Sequence, residues 1–468
     1  MAVKSPPIRI RPAPVVGLSL VLVSTTALTS PAVADDAQQQ VPVPDVEGPI
    51  PGAPPGDPGA DDIEQTYPFF ATDVDLDEYG YVEEEFFISG TANQYEGGEV
   101  ASEHPYKTRV VVRRPAEQAD SNGDVLMEWQ NVSAGYDIDA LWSPSPDHIM
   151  RSGYTWVGVS AQDVGVSQLT EWSPTRYGDL DVTDGGTVEN DQLSYDVFSQ
   201  AAQAVRTNEN DVMGGVEVDQ VLAIGASQSA GRMTVYYDDI LDHIEPVFDG
   251  YGYMVGNAPQ NTDRPEPVFQ VLSETDAART ANPREDSDNF RLWEVAGTAH
   301  SGWAGYSARE SIENREFDER EEYNCAKPPF SRAPLEQPLN ASYDHLSEWA
   351  SEGTPPPTAE RITRTSEGEL ARDDDGHAQG GIRLSQVEVP TALNTGINSP
   401  ADADSFFCVL FGSHEPYDED QLAELYPTKG SYLWQVIRAE RQNVRDGYVV
   451  RADSKENRRE ALKSDIGR

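Results

Sequence analysis

From about residue 80 the chain alternates short, β-branched apolar runs with stretches in which apolar residues recur every three or four positions. The runs are YVEEEFFISG, TRVVVRR, DVLMEW, YTWVGVSA, DQVLAIG, EPVFDGYGYMV, EPVFQVLSE and FRLWEVAG. Several are apolar without interruption, the pattern of strands covered on both faces of a sheet. Between the later runs, SYDVFSQAAQAVR carries Tyr195, Phe198, Ala202 and Val205 at helical spacing. GRMTVYYDDIL does the same with Met233, Tyr236 or Tyr237, and Ile240 or Leu241. This order predicts an α/β fold, with a mostly parallel central sheet flanked by helices. The first two runs have a short connection, which predicts an antiparallel hairpin at that edge. Beyond about residue 310 the pattern is less regular, with a helix-like SYDHLSEWASEG stopped by TPPPTAERI and amphipathic helices around Asp418–Tyr426 and Ser431–Asp446.

The N-terminus changes the picture of where the protein works. MAVKSPPIRIRPAPVVGLSLVLVSTTALTSPAVADD has basic, apolar and small-residue parts in the order of a secretory signal peptide over residues 1–34, cleaved after Ala34. Its apolar core is too short and too rich in Ser and Thr for a membrane anchor, and no later segment has the composition of a membrane span. The Pro/Gly/Asp-rich residues 35–62 read as a flexible linker. An enzyme-sized core over 63–310 and a C-terminal extension packed on it over 311–468 complete the expected organisation. Of the 468 residues, 38% are hydrophobic, enough to fill a core.

Charge excludes some partners. The chain has 81 acidic and 34 basic residues, a formal net charge of −47, and loss of the leader takes it to about −50. Such a surface repels nucleic acid and anionic membranes. Lysine supplies only 6 of the basic residues, and acid excess with lysine scarcity reads as adaptation to high salt. Two cysteines, Cys325 and Cys408, are compatible with a disulfide in an oxidising compartment and too few for a structural zinc site.

The stretch with chemical promise is VLAIGASQSAGR, a strand that ends in Gly-x-Ser and enters a helix. A serine on so sharp a turn needs small residues two positions before and after it. The pentad centred on Ser227 is G-A-S-Q-S and that centred on Ser229 is S-Q-S-A-G. The apolar run stops at Gly225, which puts Ser227 on the turn and Ser229 in the first helical turn. The Ser227 register also leaves the Gln228 N–H at a helix N-terminus, where it would stabilise an oxyanion. A phosphate-binding loop does not fit, since Gly225 and Gly231 enclose five residues and Arg232-Met233 follow. A helix N-cap serine is the plain alternative.

A hydroxyl nucleophile needs a base, and the base a carboxylate that fixes its tautomer. EPVFQVLSETD supplies a strand followed by Glu274 and Asp276, and FRLWEVAGTAHSGW a strand followed by His300. Asp276 has the better offset and Glu274 is the alternative acid. His243, at a helix end, reads as a capping cation, His345, His377 and His414 as surface or packing residues, and His104 and His148 as loop residues. The loop after DVLMEW places the backbone N–H groups of Asn131 and Val132 as candidates for a second oxyanion donor. Asp373 and Asp375 in ARDDDGHAQGG read as solvated charge rather than a calcium loop. The residues call for no metal and no organic cofactor.

The strings EWQNVS, GVSAQ, GASQSAGR, QVLSETD, RLWEVAGTAH, LSEWASEGTPPP and GGIR, in that order, resemble a widespread bacterial family of α/β-hydrolase domain proteins over about residues 65–450. The resemblance implies the α/β-hydrolase fold, with the nucleophile on Ser227, the acid on the SETD turn and the histidine on His300; it supplies no substrate. The expectation is a secreted serine hydrolase cleaving small or polymer-derived carboxylic esters. Amide cleavage or acyl transfer by the same residues, and a non-catalytic binding protein on the same scaffold, are the alternatives. The chain beyond about residue 310 is expected to wrap back onto the substrate pocket, pinned by Cys325 and Cys408.

Overall fold

The apolar runs become the strands of one sheet in a computed structural model, which describes residues 38–52, 67–207, 212–261, 263–317 and 322–467. They are β1 (Asp45–Glu47), β2 (Tyr81–Glu96), β3 (Glu99–Pro115), β4 (Asp124–Trp129), β5 (Thr155–Val159), β6 (Gln220–Ala226), β7 (Gly250–Met254), β8 (Val268–Ser273) and β9 (Phe290–Val295). Their spatial order is β1-β2-β3-β5-β4-β6-β7-β8-β9. The edge from β1 through β3 to β5 is antiparallel, and β5, β4, β6, β7, β8 and β9 run parallel.

Every residue of β4 to β9 is buried, which is why those runs lack polar alternation. Successive side chains still point to opposite faces. Val221 and Ala223 of β6 join a core with Val197, Phe198, Met233 and Tyr236 from the helices Ser194–Arg206 and Gln228–Val235 and the turn that follows. Leu222 and Ile224 join a second core with Leu339, Leu346 and Ile382. That second face is covered by the helix Glu336–Glu352, so the chain beyond 310 supplies a layer of the fold. Glycines on β7 make the approach close: a Cβ on Gly250 would stand 3.2 Å from Leu346 Cδ1.

Three local outcomes differ from the sequence reading. The hairpin strands extend to 16 and 17 residues and meet at Gly97–Gly98, both with φ above +60°, the backbone a two-residue turn demands. The connection expected there is polar strand, in which His104 lies. The helix Gln228–Val235 runs on into a π turn, Tyr236–Ile240, whose wider winding buries Tyr236, Tyr237, Ile240 and Leu241 together. Finally, the part of the expected linker that is described lies against the sheet: β1 pairs with β2, and the Gln39 N–H donates to the His243 carbonyl at 2.7 Å. The expected leader and residues 53–62 fall outside the described residues.

The later helices form at Glu419–Leu425 and Lys429–Asp446, joined by Arg451–Lys463. Strands β10 (Ala392–Thr395) and β11 (Ser413–Pro416) make a small antiparallel pair. Cys325 and Cys408 form a disulfide with a Cα–Cα distance of 5.5 Å. Among the described residues no helix is long and apolar enough to cross a membrane.

Candidate active site

Ser227 stands between the last residue of β6 and the first of the helix Gln228–Val235, with φ 56° and ψ −113°. A non-glycine residue held there stores strain, and its surroundings fix it. Its N–H donates to the Met254 carbonyl (3.0 Å) and its carbonyl accepts from the Gly231 N–H (3.1 Å). Two residues earlier, a Cβ on Gly225 would lie 2.6 Å from Met233 Sδ, so that position has no room for a side chain. Two residues later, Ser229 is buried, and its hydroxyl accepts from the Ala226 N–H (3.0 Å) while donating to the Ala226 carbonyl (2.9 Å). Ser227 lines a cavity of about 1400 Å³; Ser229 is the clasp beneath it.

The acid and the histidine arrive from the next strands of the parallel sheet. Ser273 ends β8 and caps the helix Glu274–Arg279: its hydroxyl accepts from the Asp276 N–H (3.3 Å) and donates to Asp276 Oδ2 (2.5 Å). Oδ1 is then turned to His300, whose Nδ1 lies 2.7 Å away. An ionised carboxylate only accepts, so Nδ1 carries the proton and Nε2 is left as the basic nitrogen. The turn after β9 is shaped by Gly297, at φ 76°, and the His300 N–H donates to Thr275 Oγ1 (3.2 Å). His300, like Ser227, lines the cavity.

Glu274 does not meet the histidine. It is fully buried and accepts from the N–H groups of Gly297 (2.7 Å) and Gly396 (3.0 Å) and from the Arg372 guanidinium (2.7 Å), which corrects its place as alternative acid to a structural one. Asn131 is corrected too. Its N–H donates to the Ile138 carbonyl (3.3 Å), so that amide is engaged within its own loop. Its side-chain Nδ2 donates to the Ala226 carbonyl (2.9 Å), tying the loop to the elbow. The next amide, Val132, has no acceptor among the described residues. Gln228 supplies the first helical amide, which lacks an intrahelical acceptor, while its side chain is tied back to Gln162 Oε1 at 3.1 Å.

Sequence reasoning missed the clasp of Ser229, the Asn131 side chain and the Ser273 cap. The last had a signal, since S-E-T-D is the Ser-x-x-acid form of an N-terminal helix cap. The loop 131–143 is anchored from below by buried ion pairs, Arg109 with Asp137 (3.3 Å) and Arg113 with Asp139 (2.6 Å). The chain beyond 310 supplies cavity wall through Phe317, Tyr323, Arg332, Leu339, Phe407 and Phe411, and the disulfide joins the segments carrying Tyr323 and Phe407. The other histidines lie outside the lining; His148, for example, is buried in the helix Pro146–Arg151, with Nε2 3.1 Å from Asp344. Asp373 closes on its own turn, accepting from the His377 N–H at 2.9 Å.

A parallel sheet bearing a strained serine at a strand–helix elbow, with the residues of the cavity set at the carboxyl ends of its strands, has the architecture of an α/β hydrolase. The chain belongs to the family described as alpha/beta hydrolase domain, whose pattern it matches over residues 46–459. No curated protein matches it. Among solved structures it is similar to the rice cell wall degrading esterase LipA from Xanthomonas oryzae, with 16% identity over 38% of this chain and 43% of that one and a TM-score of 0.23. It is similar also to an α/β serine hydrolase without a lid from Xanthomonas campestris, at 13% identity over 48% and 92% of the two chains and a TM-score of 0.27. A thermostable esterase from Pseudomonas putida aligns at 13% identity over 46% and 74%, again with a TM-score of 0.27. The match to LipA spans less than half of that protein's length.

Proposed function

We propose that this protein is a secreted serine hydrolase that cleaves carboxylic esters through an acyl-enzyme. The observation that carries the reading is the meeting of the strained Ser227 and His300 on one cavity, with His300 Nδ1 2.7 Å from Asp276. Ser227 Oγ attacks the acyl carbon while His300 Nε2 takes its proton, and Asp276 holds the imidazole in the required tautomer and stabilises the imidazolium. The N–H groups of Gln228 and Val132 receive the negative charge on the carbonyl oxygen. Collapse breaks the carbon–oxygen bond, and the alcohol leaves with the proton held by His300. Water then attacks the acyl-enzyme by the same path, releasing the acid and restoring Ser227. The leader-like N-terminus and the disulfide support an exported protein.

The test is labelling with a fluorophosphonate followed by peptide mapping, alongside hydrolysis of p-nitrophenyl acetate. Label on the 225–232 peptide, lost together with turnover in Ser227→Ala, is the expected result. A folded wild-type protein that takes no label and turns over no ester at low or molar salt would overturn the reading in favour of a binding protein.

A further inference from the structure

The wall of the cavity next to His300 carries a cation, Arg332, with no carboxylate partner among the described residues. Trp303, three residues beyond the histidine, donates its N–H to the Ser331 carbonyl (3.0 Å), and Ser331 Oγ donates to the Gly297 carbonyl of the histidine turn (2.5 Å). Arg332 is therefore fixed beside that turn. Its N–H donates to Asn394 Oδ1 (3.0 Å), and its guanidinium lies over the Trp303 ring, 4.9 Å from the ring centre. Both residues line the cavity and both are exposed.

Arg332 has no ion pair among the described residues, as is true of Arg279, Arg284, Arg364 and Arg438, but of these it alone lines the cavity. The other arginine of the lining, Arg309, is paired with Glu313 at 3.2 Å. The carboxylates of the lining make most of the cavity unfriendly to anions, so Arg332 is where a negative group would be tolerated. The contact with Trp303 restrains the guanidinium, which lowers the entropy lost on pairing with a carboxylate. Beside it Tyr306 and Phe411 line the cavity and pack on the buried Phe330 ring, at 4.0 and 4.4 Å between centres, which gives the body of a ligand an aromatic wall.

His300 must hand its proton to the departing oxygen, so the alcohol portion of an ester lies against this same wall. We infer that Arg332 is a specificity-determining residue: the natural substrate is the ester of a hydroxy acid, whose carboxylate sits on the alcohol side of the scissile bond and pairs with Arg332. This rests on the proposed ester hydrolysis. It adds what that reading leaves open, the charge of the substrate and the side on which it is carried.

Three esters test it in the full-length protein: 3-acetoxybenzoate, its neutral counterpart 3-acetoxybenzamide, and monophenyl succinate, whose carboxylate is on the acyl side. The wild type should show a kcat/KM for 3-acetoxybenzoate about tenfold above that for the amide, as one charge-assisted contact provides. In Arg332→Gln that ratio should fall to about one, and Arg332→Lys should restore part of it, since lysine keeps the charge without the planar fork. High salt should shrink the wild-type ratio. A wild-type ratio near one, an unchanged ratio in Arg332→Gln, or a preference for monophenyl succinate over 3-acetoxybenzoate would each overturn the inference. If these failures come with fluorophosphonate label on Ser227, the hydrolase reading survives alone; if Ser227 takes no label, both fall.

Discussion

Exchanging the two carboxylates of the SETD turn for their amides separates the fold from the chemistry. Glu274 presents one oxygen to the Gly297 N–H and the other to the Gly396 N–H and Arg372. In Glu274→Gln the amide nitrogen faces a donor whichever way it turns, so one set of charge-assisted hydrogen bonds is lost. Each is worth about 1.5–3 kcal/mol. Arg372, with 26% of its side chain exposed, recovers part of this in water, which holds the cost near about 2 kcal/mol. For a cooperative unit of this size that is a fall in Tm of about 2 °C, with kcat within about tenfold of wild type. Asp276→Asn acts the other way. Ser273 Oγ already accepts the backbone N–H of residue 276 and donates to Oδ2, so the amide oxygen stays with Ser273 and the NH₂ is turned to His300 Nδ1. That stabilises the wrong tautomer, and kcat should fall by about 10⁴ with little change in Tm. Thermal unfolding and ester turnover measured on the same preparations check both. A folded, thermally unchanged but inactive Glu274→Gln, or an Asp276→Asn with more than about a tenth of wild-type kcat, would refute the assignment.

Ser229→Ala removes the clasp across the Ala226 N–H and carbonyl, while that carbonyl keeps Asn131; a loss of about 1 kcal/mol and a lower kcat are expected, read by urea unfolding and turnover. Replacing Cys325 and Cys408 by serine opens a link between residues 83 apart and should lower stability by about 2–4 kcal/mol. Because Tyr323 and Phe407 lie on the segments it joins, KM for the ester should rise more than kcat falls. Glu128 is buried beneath the loop of Asn131, and burial pushes its carboxyl up to about 8. The folded protein then keeps a proton there that the unfolded chain releases near pH 4.5, so this group's contribution to stability is fully present below about pH 4.5 and is lost as pH rises to about 8. Unfolding free energies at pH 6 and 8 should differ by about 1.4 kcal/mol per unit more in the wild type than in Glu128→Gln, and equal slopes would refute the placement.

The parallel core was legible because its strands are covered on both faces and therefore read as unbroken apolar runs, as VLAIG does. The register of Ser227 followed from where that run stops. The choice between Glu274 and Asp276 could not, because both follow the same strand and differ in which neighbour reaches them: Glu274 is claimed by Gly396 and Arg372, about 100 residues away in sequence. The Asn131 amide was misread for a related reason. Its partner, Ile138, lies in a loop whose shape depends on buried Arg109 and Arg113, and no local pattern announces that. The helix Arg451–Lys463 escaped because it buries only Ser454, Asn457 and Ala461, which leaves no apolar stripe.

More than a third of the chain follows His300, and the contacts of the histidine turn give a physical reason for the arrangement. The Ala296 N–H donates to the Ile382 carbonyl (2.9 Å), the Ser301 N–H to the Leu410 carbonyl (3.0 Å), and Ser331 Oγ to the Gly297 carbonyl. On the acid side, a Cβ on Gly396 would stand 2.4 Å from the Thr275 nitrogen, and Thr275 Oγ1 donates to the Gly396 carbonyl. Both turns are thus built against residues 331–412. The same segment covers the sheet face of Leu222, Ile224 and Phe269 with Leu339 and Leu346. A chain cut at residue 310 would expose that face to water and strip the partners from both turns. The segment is therefore part of what makes the acid and the histidine meet, and the specificity wall at Trp303 and Arg332 is a consequence of the same docking.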